Sequence, residues 1–291
     1  MVLLPGYLPL VLQSERFTEH SVRESKGSVN PYVNFSDLAW FEFHLPSVDE
    51  QRRVVTALEA ADGCVDRLTT LKRRGRGLWR SLIEQHAERF GSAPVPLGEL
   101  LTGITAGKSL VGIDEAWAGG QPAVLKVSAI DPDGFRSEEA KVLSEPDRFD
   151  DSVALTAGDL LMSRANTSEL VGESCLVDRD YQNLMLSDKT LRLVPRPDVD
   201  SRLLWHVLQS TDVRHQIVSR ATGTGSAMKN ISQKKILALM IPYPGDRSTA
   251  TEVVDAFDRA HETSTSLQAR VHQARSVRTA LLTKALEGEE Q

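Results

Sequence analysis

Few residues in this 291-residue chain have a spacing that could support catalysis. Asp133, Glu139 and Lys141 have the residue types of a metal-dependent nuclease, but Asp133 and Glu139 lie close together in sequence and the segment is typical of an acidic loop. The seven histidines show no metal-ligand spacing. No serine has the sequence context of a catalytic nucleophile at a strand-to-helix turn.

The remaining candidate motif is Asn30-Pro31-Tyr32, which is similar to the Asn-Pro-Pro-Tyr motif of enzymes that methylate amino groups. One proline is missing, and no glycine-rich cofactor loop precedes the motif. We therefore predict no catalytic residue, no metal site and no cofactor. Cys64 and Cys175 are isolated, which indicates a reducing cytoplasm, and each is expected to be a small buried hydrophobe.

The net charge of −6 does not by itself favour nucleic-acid binding, but the charge is unevenly distributed. Residues 67–82 contain six basic residues and no acidic one, and residues 213–244 contain five basic residues and no acidic one. Basic runs are commonly solvated faces, so these two runs alone do not define a function.

The elements that would position any site are dominated by one long predicted helix, residues 47–90. Its apolar side chains recur at steps of three and four, the pattern of a single helical stripe. The stripe comprises Val54, Leu58, Ala61, Val65, Leu68, Leu71, Leu78 and Leu82. Ser47 and Glu50 fit a capping box, and Pro46 blocks extension of the helix toward the amino terminus. About forty residues would form a rod of roughly 60 Å.

A second stripe of the same spacing closes the chain. Val253 to Phe257 align with Val54 to Leu58, and Leu267 aligns with Leu68 at the same offset. Two long helices with narrow apolar stripes bury them most easily against each other, so we predict an antiparallel coiled coil. The alternative is a pair of unrelated amphipathic helices.

The repeat extends beyond the helices, because residues 1–46 align without a gap with residues 197–242. Gly27 then meets Gly223. Each copy is predicted to form a helix, a glycine-containing loop, a polar turn and a strand that leads into the long helix. The alternating apolar residues of the first predicted strand are Phe41, Phe43 and Leu45.

Residues 92–245 are predicted to form the one complete globular domain. We expect strands at 124–130, 159–164, 174–177 and 190–194 and a helix at 202–219, in a mixed α/β arrangement with loop-rich connections. Residues 92–196 have no counterpart before the first copy, so we expect either a naturally shortened first domain or a start site upstream of Met1.

Four segments of the chain carry a combined pattern: Val95–Leu100, Gly158–Gly172, Gly223–Ser232 and His44–Val55. This pattern resembles the specificity subunit of type I restriction–modification systems, and the resemblance covers essentially the whole chain. One departure is that Gly245 to Ser248 replace, at the second helix, the Glu50 to Arg53 segment of the first.

The resemblance implies an α+β protein without catalytic activity of its own. It divides the chain into the carboxy-terminal remnant of a first target-recognition domain (1–46), a spacer helix (47–91), a complete target-recognition domain (92–245) and a second spacer helix (246–288). Two such domains would each read half of a bipartite site on double-stranded DNA, and the helices would measure the spacer.

The resemblance also implies partners. The spacer helices would bind modification subunits, which methylate adenine using S-adenosylmethionine, and motor–nuclease restriction subunits would then join. The protein would act in the cytoplasm, and pairing with a second copy of itself is a further expectation.

Under this resemblance we predict the DNA contacts from the loops of the complete domain. The candidates are Lys108, Ser109, Arg164, Asn166, Thr167, Lys189, Arg220, Lys229 and Asn230. Arg164 can donate two hydrogen bonds to guanine, and Asn166 can pair with adenine. Arg164 could instead form an ion pair inside the domain, and Lys229 and Asn230 could instead cap a turn. The DNA sequence itself is not predicted, because it depends on loops rather than on the framework.

Two other functions stay open. A coiled-coil adaptor or decayed half-subunit would bind only protein partners, which fits a first domain without its front part. A self-contained nuclease would have to cleave DNA alone with a metal ion.

Overall fold

The computed structural model describes residues 2–90, 93–113, 115, 117–223, 228–244 and 247–287. These residues form two compact units, one of Met1–Arg73 with Ser266–Gln291 and the other of Arg74–Thr265. The fold is α+β, as predicted. Among the described residues, no helix is both long enough and apolar enough to cross a lipid bilayer.

The helices include the two long ones predicted from the apolar stripes. The α-helices are α1 (Leu8–Val11), α2 (Glu15–Arg23), α3 (Phe35–Leu38), α4 (Val48–Ala87), α5 (Leu97–Leu100), α6 (Ser201–Leu208), α7 (Thr211–Arg220), α8 (Gln233–Leu237) and α9 (Arg247–Glu287). The Glu50 amide donates a hydrogen bond to Ser47 Oγ over 3.3 Å, as expected for the residue that caps α4.

Among the described residues, the strands lie in the second unit. They are β1 (Val95–Pro96), β2 (Leu101–Ala106), β3 (Gly112–Ile113), β4 (Ala123–Leu125), β5 (Ile130–Asp131), β6 (Gly134–Phe135), β7 (Ala140–Leu143), β8 (Ala154–Leu155), β9 (Leu160–Ser163), β10 (Ala165–Asn166), β11 (Ser174–Leu176), β12 (Tyr181–Met185), β13 (Thr190–Pro195), β14 (Lys229–Asn230) and β15 (Met240–Ile241).

Two larger sheets build the second unit. One is antiparallel with the strand order β11-β9-β13-β2, and the other has the order β3-β7-β4-β12-β8, in which only β12 and β4 run parallel. Strand β9 packs on both sides: Leu160 and Met162 join the core formed with the helices, and Leu161 joins the core formed with the five-stranded sheet. The four-stranded sheet is therefore the middle layer, since side chains alternate across a strand.

In the second unit, α4 and α9 meet through aromatic rings. The ring of Trp79 lies 4.7 Å from that of His261, and the ring of His86 lies 5.5 Å from that of Phe257. Partner numbers fall along α9 as they rise along α4, so the helices are antiparallel within this unit.

His206 of α6 completes this packing through two hydrogen bonds. Trp79 Nε1 donates to His206 Nδ1 over 3.1 Å, and His206 Nε2 lies 2.8 Å from Asp258 Oδ1. Because an indole N–H can only donate, Nδ1 must carry a lone pair, so the proton sits on Nε2 and is donated to Asp258. Burial lowers the pKa of His206 although Asp258 opposes the shift, so the ring is neutral at pH 7.

In the first unit, the same two helices meet through aliphatic side chains. Leu10, Leu58 and Leu282 are buried together. Arg278 Nε donates to Asp62 Oδ1 over 2.9 Å, with the carboxylate half exposed. This order of partners is again antiparallel.

The buried amide of Gln51 fixes the start of the chain in the first unit. It accepts a hydrogen bond from the Leu4 amide and donates to the carbonyls of Val2 and Pro46, at 2.8, 3.0 and 2.9 Å. Its side-chain oxygen and nitrogen are therefore both satisfied.

Four sequence predictions are wrong in detail. The strand predicted at 124–130 is broken by a 3₁₀ turn at Val127–Ala129. The helix predicted at 202–219 is two helices, because the chain turns at Gln209 and Ser210 before α7 begins. Cys64 is exposed, whereas Cys175 is buried and its thiol pKa is raised by burial.

The fourth wrong prediction is the strand at Phe41–Leu45, which does not form. A strand requires a hydrogen-bonded neighbour, and no described residue of the first unit pairs with this segment.

Candidate nucleic-acid interface

One end of the four-stranded sheet brings together three predicted basic residues. Ser163, the last residue of β9, pairs with Thr190, the first of β13, and Leu191 pairs with Ala106, the last of β2. Lys108 follows β2, Arg164 follows β9 and Lys189 precedes β13. These three cations therefore lie at the same end of the sheet, and we call them the sheet-end cations.

Backbone hydrogen bonds join the segments that carry the sheet-end cations. The Arg164 amide donates to the Lys189 carbonyl over 2.8 Å, and the Gly107 amide donates to the Ser187 carbonyl over 3.2 Å. Only glycine fits at position 107, because a Cβ atom there would lie 2.0 Å from the Leu186 carbonyl oxygen. The local geometry thus depends on close backbone contact.

A small hairpin-like pair brings Lys229 and Asn230 to the same place. Strands β10 and β14 are antiparallel, with Ala165 opposite Asn230 and Asn166 opposite Lys229. The Ile231 amide also donates to the Arg164 carbonyl over 3.0 Å. Residues 224–227 of the predicted loop lie outside the described residues.

Arg164 is exposed, and its guanidinium has no hydrogen-bond or ion-pair partner among the described residues. The ion pair considered for Arg164 from the sequence is thus not found in the described part of the chain. Lys189 is likewise exposed, without a described partner for its ammonium group. Both cations are available to a ligand.

Lys108 differs from the other two sheet-end cations because an acid neutralises it. Its Nζ lies 2.7 Å from Asp150 Oδ2, and this hydrogen bond, together with those from Ser152, lowers the pKa of Asp150 to about 2. Lys108 is still largely exposed, and the neighbouring Ser109 is exposed. A phosphate would have to compete with Asp150 for Lys108.

The polar residues next to Arg164 are partly used by the loop itself. Asn166 Oδ1 accepts from the Thr167 amide over 2.9 Å, which leaves the Asn166 NH₂ group without a described partner. The Thr167 carbonyl accepts from the Leu170 and Val171 amides, while its exposed side chain faces solvent. Asn166 can therefore still donate to a ligand but has less capacity to accept.

Lys229 and Arg220 are used structurally. Lys229 Nζ donates to the Gly223 carbonyl over 2.9 Å, which is the turn-capping role considered as the alternative. Arg220 Nη1 donates to the Ala238 carbonyl over 2.7 Å, so its guanidinium is held beside α8. Asn230 exchanges two backbone hydrogen bonds with Thr222, and its side chain is exposed.

Sequence reasoning missed the residue that holds the Arg164 loop, which is Arg214. This buried side chain donates from Nη2 to the carbonyls of Glu169 and Val171 at 2.9 and 3.0 Å, and it lies 4.0 Å from Glu173. Burial lowers its pKa. Its position between Val213 and Ile217, on the buried face of α7, was the available signal.

Among the described residues, no group of three or more His, Cys, Asp or Glu side chains is arranged to hold a metal ion. The arrangement at the sheet end instead offers hydrogen-bond donors and positive charge around exposed loops. Such groups are suited to bind a polyanion such as a nucleic acid, whose phosphates attract cations and whose base edges accept hydrogen bonds.

No family model matches the chain. A segment of 122 residues, 42% of the chain, is 28% identical to the type I restriction enzyme EcoEI specificity subunit of Escherichia coli, and it spans 20% of that protein.

The fold matches solved structures over nearly the whole chain. The S subunit of a type I restriction–modification system from M. genitalium matches with a TM-score of 0.54 and 15% identity, over 97% of this chain and 72% of that one. A structure from work on complex assembly and conformational transition of the type I R-M system matches with a TM-score of 0.50 and 17% identity, over 97% and 70%.

The chain therefore has the fold of a type I S subunit. The resemblance to specificity subunits that the sequence predicts is confirmed by both kinds of similarity.

Proposed function

We propose that this chain recognises DNA sequence for a type I restriction–modification complex and performs no chemistry itself. A shared fold does not establish a function, so the proposal depends on the site. The observation that carries it is the position of Arg164 and Lys189, two exposed cations without described partners, at one end of the four-stranded sheet.

The two cations have different proposed roles. Lys189 contacts a phosphate, which positions the protein without reading sequence. Arg164 donates its forked N–H groups to O6 and N7 of a guanine in the major groove, and Asn166 donates its free amide to a neighbouring base. Lys108 contributes less, because Asp150 already balances its charge.

The rest of the molecule fits the same role. In this proposal α4 and α9 form an antiparallel coiled coil that spaces two recognition domains on a bipartite site and binds methyltransferase subunits. The restriction subunit joins that complex, and the protein works in the cytoplasm. Residues 1–46 correspond to the end of a first recognition domain, and residues 92–245 are the complete one.

The test measures binding of the assembled methyltransferase complex to genomic DNA fragments, with the wild-type chain and with Arg164→Ala. Loss of a bidentate guanine contact should cost about 1–3 kcal/mol of discrimination at one base pair, roughly a 5- to 150-fold change. Lys189→Ala should weaken binding to all sequences alike and reduce its salt dependence. Arg196→Ala is the matched control, because Arg196 follows the opposite end of β13 and pairs with Asp198.

A complex whose site choice is the same with Arg164→Ala, Lys189→Ala and wild type would contradict the proposal. If DNA protection also persisted without this chain, a protein-only adaptor would be the better description.

A further inference from the structure

An acidic side chain lies beside one of the sheet-end cations. Asp150 belongs to the segment between β7 and β8, and its Oδ2 lies 2.7 Å from Lys108 Nζ. The Asp150 amide donates a hydrogen bond to the sulfur of Met185, the last residue of β12, over 3.3 Å. A carboxylate repels phosphates, so its position at a surface proposed to bind DNA requires an explanation.

Structural roles account for only part of the Asp150 carboxylate. Its Oδ1 accepts from the amide and the hydroxyl of Ser152, at 3.1 and 2.6 Å, which caps the 3₁₀ turn Asp151–Val153. That cap does not involve Oδ2. The ion pair of Oδ2 with Lys108 contributes little to stability, because the lysine side chain is 64% exposed.

The Asp150 carboxylate has one acceptor position left. An ionised carboxylate offers about four lone-pair directions. Ser152 and Lys108 use three of them, and no further donor to this side chain is found among the described residues. The hydrogen bond from Lys108, with those from Ser152, lowers the pKa of Asp150 to about 2, so the group is ionised at pH 7 and acts only as an acceptor.

A cavity of about 520 Å³ opens beside Asp150. Its charged lining residues are three acids and two bases: Asp147, Asp150, Asp151, Lys108 and Arg148. Asp147 and Asp151 are exposed, without a described partner for their side chains, whereas the Asp150 side chain is 24% exposed and held by three hydrogen bonds. This lining favours a hydrogen-bond donor over a phosphate, and Asp150 is already oriented to accept from it.

Double-stranded DNA presents such donors in its major groove. The N4 amino group of cytosine and the N6 amino group of adenine point into that groove, whereas guanine and thymine present acceptors there. A fixed carboxylate therefore accepts from cytosine or adenine and is repelled by O6 of guanine and O4 of thymine.

We propose that Asp150 is a specificity-determining residue that accepts a hydrogen bond from the exocyclic amino group of a cytosine or an adenine in the major groove. Ser152 and Lys108 are positioning residues, because they orient its two oxygens. This inference rests on the proposed function and adds an acidic residue to the basic and neutral candidates for DNA contact.

The test selects bound sequences from a randomised DNA pool with the assembled methyltransferase complex, containing either the wild-type chain or Asp150→Asn. The Ser152 amide and hydroxyl keep the amide oxygen of the new side chain at the Oδ1 position, so an NH₂ group replaces Oδ2 and the acceptor becomes a donor. We expect one position at which wild type prefers cytosine or adenine by about tenfold, and Asp150→Asn prefers guanine or thymine on the same strand.

Glu145→Gln is the matched control. Glu145 is an exposed acid of the same segment that does not line the cavity, so its substitution removes the same charge without removing the oriented acceptor. Both substitutions should strengthen binding to unrelated DNA, since each removes one negative charge, but Glu145→Gln should keep the wild-type base preference.

A second measurement needs no altered protein and applies if Asp150→Asn does not fold. The selected cytosine or adenine is replaced in a synthetic duplex by pyrimidin-2-one or purine, each of which lacks the amino group. The wild-type complex should bind this duplex about tenfold more weakly than the selected one.

The wild-type base preference at every position in Asp150→Asn, together with an altered site choice in Arg164→Ala, would overturn this inference and leave the proposed function intact. An equal change of preference in Glu145→Gln would also overturn it, because charge alone would then be the cause. Unaltered site choice in both Asp150→Asn and Arg164→Ala would contradict the inference and the proposed function together.

Discussion

Helices α4 and α9 pack against each other by different means in the two units. In the first unit the described contacts include leucines and a partly exposed ion pair. In the second they are oriented rings joined by the hydrogen bonds from Trp79 to His206 and from His206 to Asp258. Leucine contacts tolerate rotation and substitution, whereas the hydrogen-bonded rings fit together in only one arrangement. The packing of the two helices is therefore permissive in the first unit and geometrically defined in the second.

The largest effect should come from Trp79→Ala. It creates a cavity and leaves His206 Nδ1 buried without a donor, so we expect a loss of about 3–5 kcal/mol in the free energy of unfolding. Urea denaturation measures it, with the exposed Trp40→Ala as the control. A loss below that of Leu58→Ala would break the distinction between the two units.

Leu58→Ala comes second. Leu58 is buried in the aliphatic contact of the first unit, and its truncation should cost about 2–3 kcal/mol. Leu71→Ala, on an exposed position of the same helix, should change stability by less than about 0.5 kcal/mol. In Leu58→Ala, hydrogen exchange should show reduced amide protection in the first unit. An equal loss of protection around Trp79 would argue against independent packing of the helices in the two units.

A pH dependence should belong to the second unit. Burial, with a smaller contribution from His206, lowers the pKa of His261 to about 4, below its ordinary value of 6.5. The unfolded chain therefore takes up this proton first as the pH falls, and stability is lost between about pH 6.5 and 4. We expect about 2 kcal/mol of loss from this residue between pH 7 and about 4.5.

His261→Gln should reduce that pH dependence, while His215→Gln, on an exposed position of α7, should leave it intact. The slope of unfolding free energy against pH decides the matter. An unchanged slope in His261→Gln would assign the acid sensitivity to carboxylates elsewhere.

The smallest effect should come from Asp62→Asn. The Arg278–Asp62 pair is partly solvated, so its removal should cost less than about 1 kcal/mol and less still at high salt. A double-mutant cycle with Arg278→Gln would measure the coupling. A coupling above about 2 kcal/mol would mean that the first unit also relies on a specific polar contact.

Much of the fold could be predicted because it depends on local periodicity. The predicted stripe coincides with α4, and the apolar run at Leu160–Ser163 forms β9. The stripe members Leu71 and Leu78 are nevertheless exposed, and Trp79 and Ile83 are the buried residues in the second half of the helix. The break at Gln209 and Ser210 was missed because the apolar pattern continues across it. The segment Phe41–Leu45 was misjudged because alternation alone does not provide a pairing strand.

The candidate site could be predicted only as a set of loops. Strand register brings Lys108, Arg164 and Lys189 to one sheet end, and register between distant segments is not visible in a single sequence. The sequence also could not show that Lys229 and Arg220 donate hydrogen bonds to backbone carbonyls of their own chain. Residue type indicates which side chains can donate hydrogen bonds. Only the fold shows which of those donors are not already bonded within the protein.

The buried guanidinium of Arg214 holds the loop that follows β9 through its backbone, so the exposed side chains of that loop are free to vary. Arg214 donates hydrogen bonds to the carbonyls of Glu169 and Val171. The side chains of Arg164, Asn166 and Thr167, which precede them in the loop, take no part in these hydrogen bonds. In a library randomised at positions 164, 166 and 167, the Arg214 hydrogen bonds should therefore keep the loop conformation while the side chains offered to DNA change. New target preferences could then arise by exchange of a few exposed residues, without rebuilding the domain beneath them.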